Sequence, residues 1–287
     1  MSRIINCHVI DQHNVGDLLS SPLRYFDFPG YVCEAQDIRT VNPQDIQQDH
    51  LIFGGGGLLF QRFLAPMQAI KAAHHSGKVI LWGVGQQSYS RAGMKEPASF
   101  DYTPYLEACD LVGVRDDRVA LDWVPCVSCM HPAFDKPRTP HHEYVVFSHK
   151  KFQIQISGLP RMTNENNDFD AVLDFLGSGE TILTSSFHGA YWGTLLGRKV
   201  VAFPFSSKFF TLRHQPTIYP TQWQQPGFQL PVIKRRINLF APKNQLRGEV
   251  KDWRSYADKS QEFPDSLAEC RSRNRWFYQQ VMEQFAP

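Results

Sequence analysis

Several features are scarce or missing in this chain of 287 residues. It contains no run of about 18 apolar residues, so the sequence predicts no membrane-spanning helix. The net charge is only +2, from 30 Lys and Arg against 28 Asp and Glu. This balance argues against nucleic-acid binding, which needs a strongly basic surface. The start also lacks the charged-then-apolar layout of a signal peptide. We therefore expect a soluble, cytoplasmic protein.

Cysteine is also scarce, and its six residues are poorly grouped. Four of them stand alone, which fits reduced thiols better than a disulfide scaffold. Cys126 and Cys129 form a single Cys-x-x-Cys, but a zinc site needs about four ligands and no second Cys or His pair stands at a convincing distance. We therefore predict structural thiols and no metal or cofactor, with metal binding and then redox chemistry as the alternatives.

What the sequence does contain is a pattern typical of α/β proteins. Short apolar strands alternate with helical stretches, as in parallel sheets, and the length corresponds to about two domains. A proline-rich stretch predicts a boundary between Rossmann-like domains over 1–138 and 139–262. At the C-terminus, a capping-box pattern at Ser266 and Glu269 predicts an amphipathic helix within 263–287 that packs back on the body.

The first motif with chemical meaning is a run of four glycines that directly follows a predicted strand over 51–53: Gly54, Gly55, Gly56 and Gly57. Glycines between a strand and a helix let a ligand approach the backbone and place amide donors at the positive end of the helix. The run is neither a GxGxxG fingerprint nor a P-loop. It predicts the close approach of a phosphate, a carboxylate or a nucleotide, and a tight turn is the structural alternative.

The second motif lies between a predicted strand over 181–184 and the next helix, and it consists of Ser185, Ser186, Phe187, His188 and Gly189. Open α/β sheets bind ligands at this edge, and helix N-termini attract anions. Histidine exchanges protons near neutral pH. We therefore predict His188 as a catalytic residue, with Ser185, Ser186 and Gly189 binding an anionic donor. A histidine that is hydrogen-bonded in a turn is the structural alternative.

Cations follow two other predicted strands. Arg115 comes directly after a strand over 111–114, and its planar guanidinium suits a carboxylate or phosphate. We predict it as the second catalytic residue beside His188. An ion pair with Asp116 or Asp117 is the alternative. Lys208 follows the strand over 199–203 and adds positive charge at the same edge.

Loops at the remaining strand ends complete the predicted cleft. Asn14, Gly16 and Asp17 follow the first strand, where Asp17 is predicted to cap the next helix. Gly83 and Gly85 close the strand over 78–82. We place all five residues around the ligand site.

Taken in order, these motifs resemble the polysaccharide pyruvyl transferase family. The matching segments extend over roughly residues 4–210 and are 14–17, 54–57, 82–85, 114–116, 185–189 and 204–208. The resemblance implies two Rossmann-like domains that face a cleft, as in GT-B glycosyltransferases. It also implies transfer of a pyruvyl group from phosphoenolpyruvate to a sugar or glycan acceptor, which gives a ketal and phosphate.

The resemblance also assigns residues. The family's Arg-x-His motif corresponds to 186–188, so His188 takes the place of the family's histidine and Ser186 that of its arginine. Arg115 matches the family's other common arginine. The cations that could replace the missing charge are Lys208, Arg198 and Arg213. In this interpretation His188 protonates the enol carbon of phosphoenolpyruvate, which is a co-substrate, and no cofactor takes part.

Two other functions fit the same motifs. A GT-B-like glycosyltransferase that uses a nucleotide sugar would need the same glycine run and cleft. A non-catalytic relative that binds carbohydrates or anions would have lost the family's arginine, and the six Trp and ten Tyr residues suit sugar stacking. The motifs leave the acceptor sugar and the oligomeric state open.

Overall fold

The fold is built on two parallel sheets and one small mixed sheet. The computed structural model describes residues 2–89, 100–225 and 246–286, with Glu249 described by its backbone alone. The predicted α/β class with parallel sheets is confirmed. In these described ranges no helix is long and apolar enough to cross a bilayer.

The first sheet has six parallel strands in the order β2-β1-β3-β4-β5-β6. Its strands are β1 (Arg3–His8), β2 (Val32–Asp37), β3 (His50–Leu59), β4 (Val79–Gln86), β5 (Leu111–Val114) and β6 (Asp122–Trp123). The helices along this part of the chain are α1 (Val15–Leu18), α2 (Gln61–Ala73) and α3 (Thr103–Leu106). Strands β1, β3 and β4 are buried along most of their length, as expected for a parallel sheet that is covered on both faces.

The second sheet has five parallel strands, and a three-stranded sheet lies beside it. The strands in this part of the chain are β7 (His142–Ser148), β8 (Phe152–Gln155), β9 (Arg161–Thr163), β10 (Gly179–Thr184), β11 (Lys199–Ala202), β12 (Thr217–Ile218), β13 (Trp223–Gln224) and β14 (Leu246–Glu249). The parallel order is β12-β11-β10-β7-β9, and the small sheet has the order β13-β14-β8. The remaining helices are α4 (Phe169–Gly177), α5 (Phe187–Leu195), α6 (Arg254–Ala257) and α7 (Ser266–Phe285).

The strand order of each large sheet reverses at one point. In the first sheet β1 lies between β2 and β3, and in the second β7 lies between β9 and β10. Open α/β sheets bind ligands outside the carboxyl ends of the strands at such reversals. The predicted boundary between residues 138 and 139 falls in the connection from β6 to β7, and the division into two domains stays a prediction.

The predicted glycine loop is wrong. All four glycines lie inside β3, which continues to Leu59, and α2 begins only at Gln61. A Cβ on Gly55 would lie 2.6 Å from the Ser20 carbonyl oxygen, and one on Gly54 would overlap the Trp82 backbone. Gly54 and Gly55 therefore permit close packing against β4 and against the segment after α1, and the amides of the four glycines do not form the start of a helix.

Helix α7 is the helix predicted at the C-terminus, and it contacts the elements of both large sheets. Asn274 accepts a hydrogen bond from the Trp82 indole at 3.0 Å. The predicted capping box is wrong, because Ser266 donates its hydroxyl hydrogen to the Thr194 carbonyl at 3.0 Å and Glu269 pairs with Arg213. Through these contacts α7 packs against β4 of the first sheet and against α5 beside the second sheet.

Candidate functional site

A deep pocket of about 50 Å³ lies where the carboxyl ends of the two large sheets meet. Its lining comes from both sheets and consists of Asn14, Asp17, Gly56, Gly57, Gln87, Arg115, His149, Asn164, Ser186, Phe187, His188 and Lys208. The pocket adjoins a larger outer cleft of about 520 Å³, with which it shares several of these residues. The structure thus gathers most of the predicted site residues in one place.

Arg115 carries the most unusual charge in the pocket. It is the first residue after β5, its side chain is buried, and its Nε is buried without a hydrogen-bond partner in the described part of the chain. The guanidinium carbon lies 4.0 Å from the centre of the Phe187 ring, a cation–π contact. Burial lowers the pKa of Arg115, yet a guanidinium stays charged. An anion in the pocket would offset the cost of this buried charge.

The alternative predicted for Arg115, an ion pair with its neighbours, is not found among the described residues. Asp116 instead accepts from the Thr211 hydroxyl at 2.7 Å, and Asp117 pairs with Arg213 at 3.4 Å. Both carboxylates are thus engaged elsewhere, and Arg115 is left to face the pocket.

Lys208 supplies the second cation. It lies in a 3₁₀ turn over Ser207–Phe209 after β11, and its Nζ is 3.4 Å from the Gln87 side-chain oxygen. Burial and the charge of Arg115 lower the pKa of Lys208 to about 7. Two cations therefore meet around the Phe187 ring, whose centre lies 5.5 Å from Nζ.

The other two cations suggested as replacements for the family's arginine lie elsewhere. Arg198 donates to the backbone carbonyls of Arg138 and Gly177 at 2.6 and 3.0 Å. Arg213 pairs with Asp117 and with Glu269. Among the three candidates, Lys208 is the one that lines the deep pocket.

His188 sits at the start of α5 and is buried between both halves of the chain. One side of its ring lies against Gly16, where a Cβ would overlap the ring. On the other side, Nε2 lies 3.7 Å from the Cys126 sulfur. Burial, Arg115 and Lys208 together lower the pKa of His188 well below its usual value. The imidazole is therefore neutral near pH 7.

The prediction that Asp17 caps the next helix is wrong. Asn14 occupies the N-cap position of α1, and Asp17 lies inside the helix, where its carboxylate accepts a hydrogen bond from the Asn14 amide at 2.7 Å. The side chain therefore points into the deep pocket. Burial raises the pKa of Asp17 to about 6, against the opposing effect of Lys208. Asp17 thus titrates close to neutral pH.

The remaining residues of the second motif have structural roles. Ser186 caps α5 by accepting from the Gly189 amide at 3.3 Å, and it also lines the pocket. Ser185 accepts from the His149 amide at 2.9 Å and donates to the Phe152 carbonyl at 2.5 Å. In the described residues Ser185 and Gly189 do not line the deep pocket. Of the three residues of this motif predicted to bind the donor, only Ser186 lies at that pocket.

Gly83 and Gly85 likewise lie behind the pocket. Gly83 has a φ of 62°, which favours glycine, and it lies against the Pro125 carbonyl. A Cβ on Gly85 would overlap the Arg115 side chain. These glycines make room for the residues that form the site.

Sequence reasoning missed three lining residues: Gln87, His149 and Asn164. His149 directly follows β7, as Arg115 directly follows β5, so this signal could have found it. Burial and the neighbouring lysines lower the pKa of His149 to about 3. Asn164 donates to the Asn14 side chain at 3.3 Å, and no pattern in the sequence marks it.

The outer cleft is rich in cations and aromatic rings. Its cations outside the deep pocket are Arg39, Arg62, Lys150 and Lys151. Arg39 is paired with Asp37, and Lys150 with Asp11 at 3.2 Å. In the described ranges Arg62 and Lys151 have no carboxylate within 4.0 Å.

An exposed aromatic ring lies at the edge of this cleft. The side chain of Tyr89 is 53% exposed. Its ring lies parallel to that of Phe205 at 5.9 Å, and Phe205 stacks on Phe152 at 3.9 Å. An exposed ring on a rigid stack suits a sugar or a base.

The Cys-x-x-Cys pair is fully buried in a 3₁₀ turn over Val127–Met130 and its N-cap. Cys126 faces His188, while Cys129 accepts from the Asn274 amide at 3.4 Å. No group of three or more His, Cys, Asp or Glu side chains in the described part of the chain could hold a metal ion.

No protein-family model matches this chain, and no curated protein matches it. Among solved structures, the chain is similar to a functionally uncharacterized protein from Klebsiella pneumoniae. The identity is 14%, the TM-score is 0.40, and the alignment covers 71% of this chain and 83% of the other. A likeness this weak carries no argument about function.

Proposed function

We propose that this protein is a transferase that moves a pyruvyl group from phosphoenolpyruvate to a sugar of a polysaccharide or glycan precursor. The observation that carries the proposal is the buried Arg115 side chain, whose Nε has no hydrogen-bond partner among the described residues, beside Lys208 in the deep pocket. Buried charges are costly unless an opposite charge meets them. Phosphoenolpyruvate carries a carboxylate and a phosphate, which suit these two cations. The cation absent at Ser186 is supplied by Lys208.

The position of the pocket supports the same arrangement of substrates. It lies between the carboxyl ends of two parallel sheets, as in a pair of Rossmann-like domains that face a cleft in a GT-B-like fold. The donor would occupy the deep pocket. The acceptor sugar would lie in the outer cleft, against Tyr89, where its hydroxyl groups could reach the donor.

The reaction requires an acid and a base. Protonation of the enol CH₂ carbon makes the adjacent carbon electrophilic, and a sugar hydroxyl adds to that carbon as it gives up its proton. A second hydroxyl then adds as phosphate leaves, and the departing phosphate takes the proton of that hydroxyl. The two bonds formed to oxygen complete the ketal.

Asp17 is better suited than His188 to the role of acid. Burial raises the pKa of Asp17 to about 6, so part of its carboxyl groups carry a proton just below neutral pH, whereas the lowered pKa of His188 leaves the imidazole uncharged. A catalytic acid works best with a pKa near the operating pH. After it gives up its proton, the Asp17 carboxylate can accept the proton of the attacking hydroxyl. His188 then holds a substrate oxygen.

The direct test combines binding and turnover. We expect phosphoenolpyruvate to raise the Tm, and to release phosphate with at least one acceptor from a panel of galactose-, mannose- and glucose-containing glycans. Asp17→Asn should lower kcat by about 10²–10⁴-fold while the Tm shift with phosphoenolpyruvate persists. Asp11→Asn, which removes a carboxylate of the outer cleft, is the matched control and should keep kcat within a few-fold. Absence of both the Tm shift and phosphate release would contradict the proposal.

The same variant has a defined effect on stability. Because the pKa of Asp17 is raised in the folded state, its stabilising contribution is complete below the ordinary value of 3.8 and is lost as the pH rises through about 6. Asp17→Asn should therefore be at least as stable as the parent protein at pH 7, and its Tm should depend less on pH between about 4 and 6. Thermal melts across this range measure the difference.

One observation favours a second candidate, a glycosyltransferase that uses a nucleotide sugar. Arg62 and Lys151 lie in the same cleft as the exposed Tyr89 ring, so that cleft could bind a base and a diphosphate. A nucleotide sugar that raises the Tm, with phosphoenolpyruvate inert, would support this function in place of the first.

A further inference from the structure

Four buried side chains form a row that ends at His188. The Trp192 indole Nε1 lies 3.0 Å from the Ser128 hydroxyl oxygen. That oxygen is 3.3 Å from the Cys126 sulfur, which is 3.7 Å from His188 Nε2. All four side chains are less than a tenth exposed. The row links the Cys-x-x-Cys segment to the deep pocket.

One direction of donation gives every hydrogen in the row an acceptor. An indole N–H can only donate, so the Ser128 oxygen accepts from Trp192, the Ser128 hydroxyl donates to the Cys126 sulfur, and the thiol donates to His188 Nε2. If the thiol donated to Ser128 instead, the buried hydroxyl hydrogen would have no acceptor among the described residues. In the described part of the chain, the Ser128 hydroxyl and the Cys126 thiol make no other side-chain hydrogen bonds.

The protonation states of the last two groups agree with this direction. Burial raises the pKa of Cys126, so the thiol keeps its hydrogen and can donate it. Burial also lowers the pKa of His188, so the ring carries one N–H and not two. A neutral imidazole that accepts at one nitrogen is protonated at the other.

We propose that Cys126 is a positioning residue that fixes His188 in the tautomer with its proton on Nδ1. Nδ1 is the nitrogen that lies against Gly16, and it is the one left to the deep pocket once Nε2 is engaged. His188 thus presents a hydrogen-bond donor to an anion held by Arg115 and Lys208.

The contacts around Cys126 hold this geometry in place. Tyr191 donates to the Cys126 carbonyl at 2.8 Å, and the His188 ring lies 4.9 Å from the Trp192 ring. Helix α5 carries Tyr191, Trp192 and His188 together. The donor of the row, its backbone support and its final acceptor therefore come from one rigid element.

Nitrogen-15 NMR of the histidine rings tests the proposal on the wild-type protein. Protonated and unprotonated ring nitrogens have distinct shifts, and the spectrum of His188→Gln identifies the signals of His188. We expect Nδ1 to be protonated and Nε2 unprotonated near pH 7. A proton found on Nε2 would overturn the proposal. Because this measurement needs no substrate, its result is independent of the pyruvyl transferase function.

Variants show whether Cys126 is the cause. Cys126→Ala removes the donor and should shift the ratio of the two tautomers by about fivefold towards Nε2–H, the effect of one net hydrogen bond. Cys129→Ala removes the other buried thiol of the pair and should leave the ratio unchanged. A shift that is equal in the two variants would show a general packing effect and would contradict the role of Cys126.

Two more measurements complete the test. If Cys126→Ala fails to fold, Cys126→Ser can replace it, because serine keeps a hydroxyl donor at the position. Nδ1 of His188 should stay protonated in this variant. Loss of that tautomer would also overturn the proposal. The second measurement is kinetic, and it rests on the proposed function. Cys126→Ala should raise the KM for phosphoenolpyruvate several-fold more than it lowers kcat. An unchanged KM alongside a shifted tautomer would count against the pyruvyl transferase and not against the role of Cys126.

Discussion

The deep pocket and the outer cleft adjoin each other, yet their cations differ in exposure. Arg62 and Lys151 of the outer cleft are exposed to solvent, so they need no carboxylate partner. In the outer cleft Arg39 and Lys150 are paired with carboxylates. In the deep pocket Arg115 is buried, and no carboxylate in the described residues pairs with it. Asp17 and Lys208 lie close enough to shift each other's pKa, but they form no ion pair within 4.0 Å.

This difference separates charges that maintain the fold from charges that serve a ligand. Exposed ion pairs contribute little to stability and are screened by salt, so the outer pairs mainly shape the rim. A buried charge without a partner lowers stability, and such groups cluster at functional sites. Under the proposed function, we therefore expect the chemistry in the deep pocket and recognition of the acceptor in the outer cleft.

The largest effect on ligand binding is expected when the buried charge of Arg115 is removed. Arg115→Met should weaken phosphoenolpyruvate binding by about 100-fold, the effect of losing a pair of hydrogen bonds to a charged group. Its Tm should stay the same or rise, because the variant no longer buries an unpaired charge. Calorimetric titration and thermal melts give the two readouts.

Arg198→Met is the matched control for Arg115. Its guanidinium donates to two backbone carbonyls far from the pocket, so the variant should lose stability and keep the affinity for phosphoenolpyruvate. If Arg115→Met were instead strongly destabilised with its affinity intact, the residue would be structural and the comparison would fail.

The next effect concerns the space around His188. Gly16→Ala places a Cβ where the His188 ring lies, so the ring must move. We expect kcat to fall by about 100-fold, since a displacement near 1 Å at a site has that effect, together with a loss of about 1–3 kcal/mol of stability from overpacking.

Gly113→Ala controls for overpacking alone. Its Cβ would lie 2.5 Å from a Val124 methyl group and 2.8 Å from the Phe277 ring, in the core behind β5. This variant should lose similar stability and keep its kcat. Equal kcat values in the Gly16 and Gly113 variants would show that the position of His188 does not matter.

Position along the chain predicted much of this site. Arg115, His188 and Lys208 each follow a strand of a parallel sheet, and since the carboxyl ends of such strands share an edge, the sequence could place them together. His149 meets the same criterion and was missed only because no motif accompanied it. The sequence pattern alone predicts the two sheets, their parallel strands and the start of α5.

The rest depended on contacts that no local pattern encodes. A glycine run has no side chains to show the alternation of a strand, so the continuation of β3 through Gly54–Gly57 was invisible. The orientation of Asp17 is set by its hydrogen bond with Asn14, and its pKa depends on burial and on a lysine almost two hundred residues away. Among the described residues Arg115 forms no ion pair with Asp116, whose carboxylate instead accepts from Thr211 in a tertiary contact.

The smallest effect on ligand binding is expected from the exposed cations of the outer cleft. Arg62→Gln combined with Lys151→Gln should weaken an anionic ligand of the outer cleft only a few-fold, and the difference should fade as salt is raised to about 1 M, where the Debye length is near 3 Å. Phosphoenolpyruvate binding in the deep pocket should not change. A large and salt-resistant loss of phosphoenolpyruvate binding would show that donor and outer cations belong to one site.

The contact between Gly16 and His188 crosses from one large sheet to the other, and this has a consequence for motion. Any movement that draws the sheets apart admits water to Arg115, Asp17 and His188, and hydration returns each pKa towards its ordinary value. The acid, the neutral imidazole and the dry guanidinium therefore exist together only while the sheets are closed. In the proposed reaction, opening would therefore switch the chemistry off, and closure of the two sheets would shield the donor from solvent.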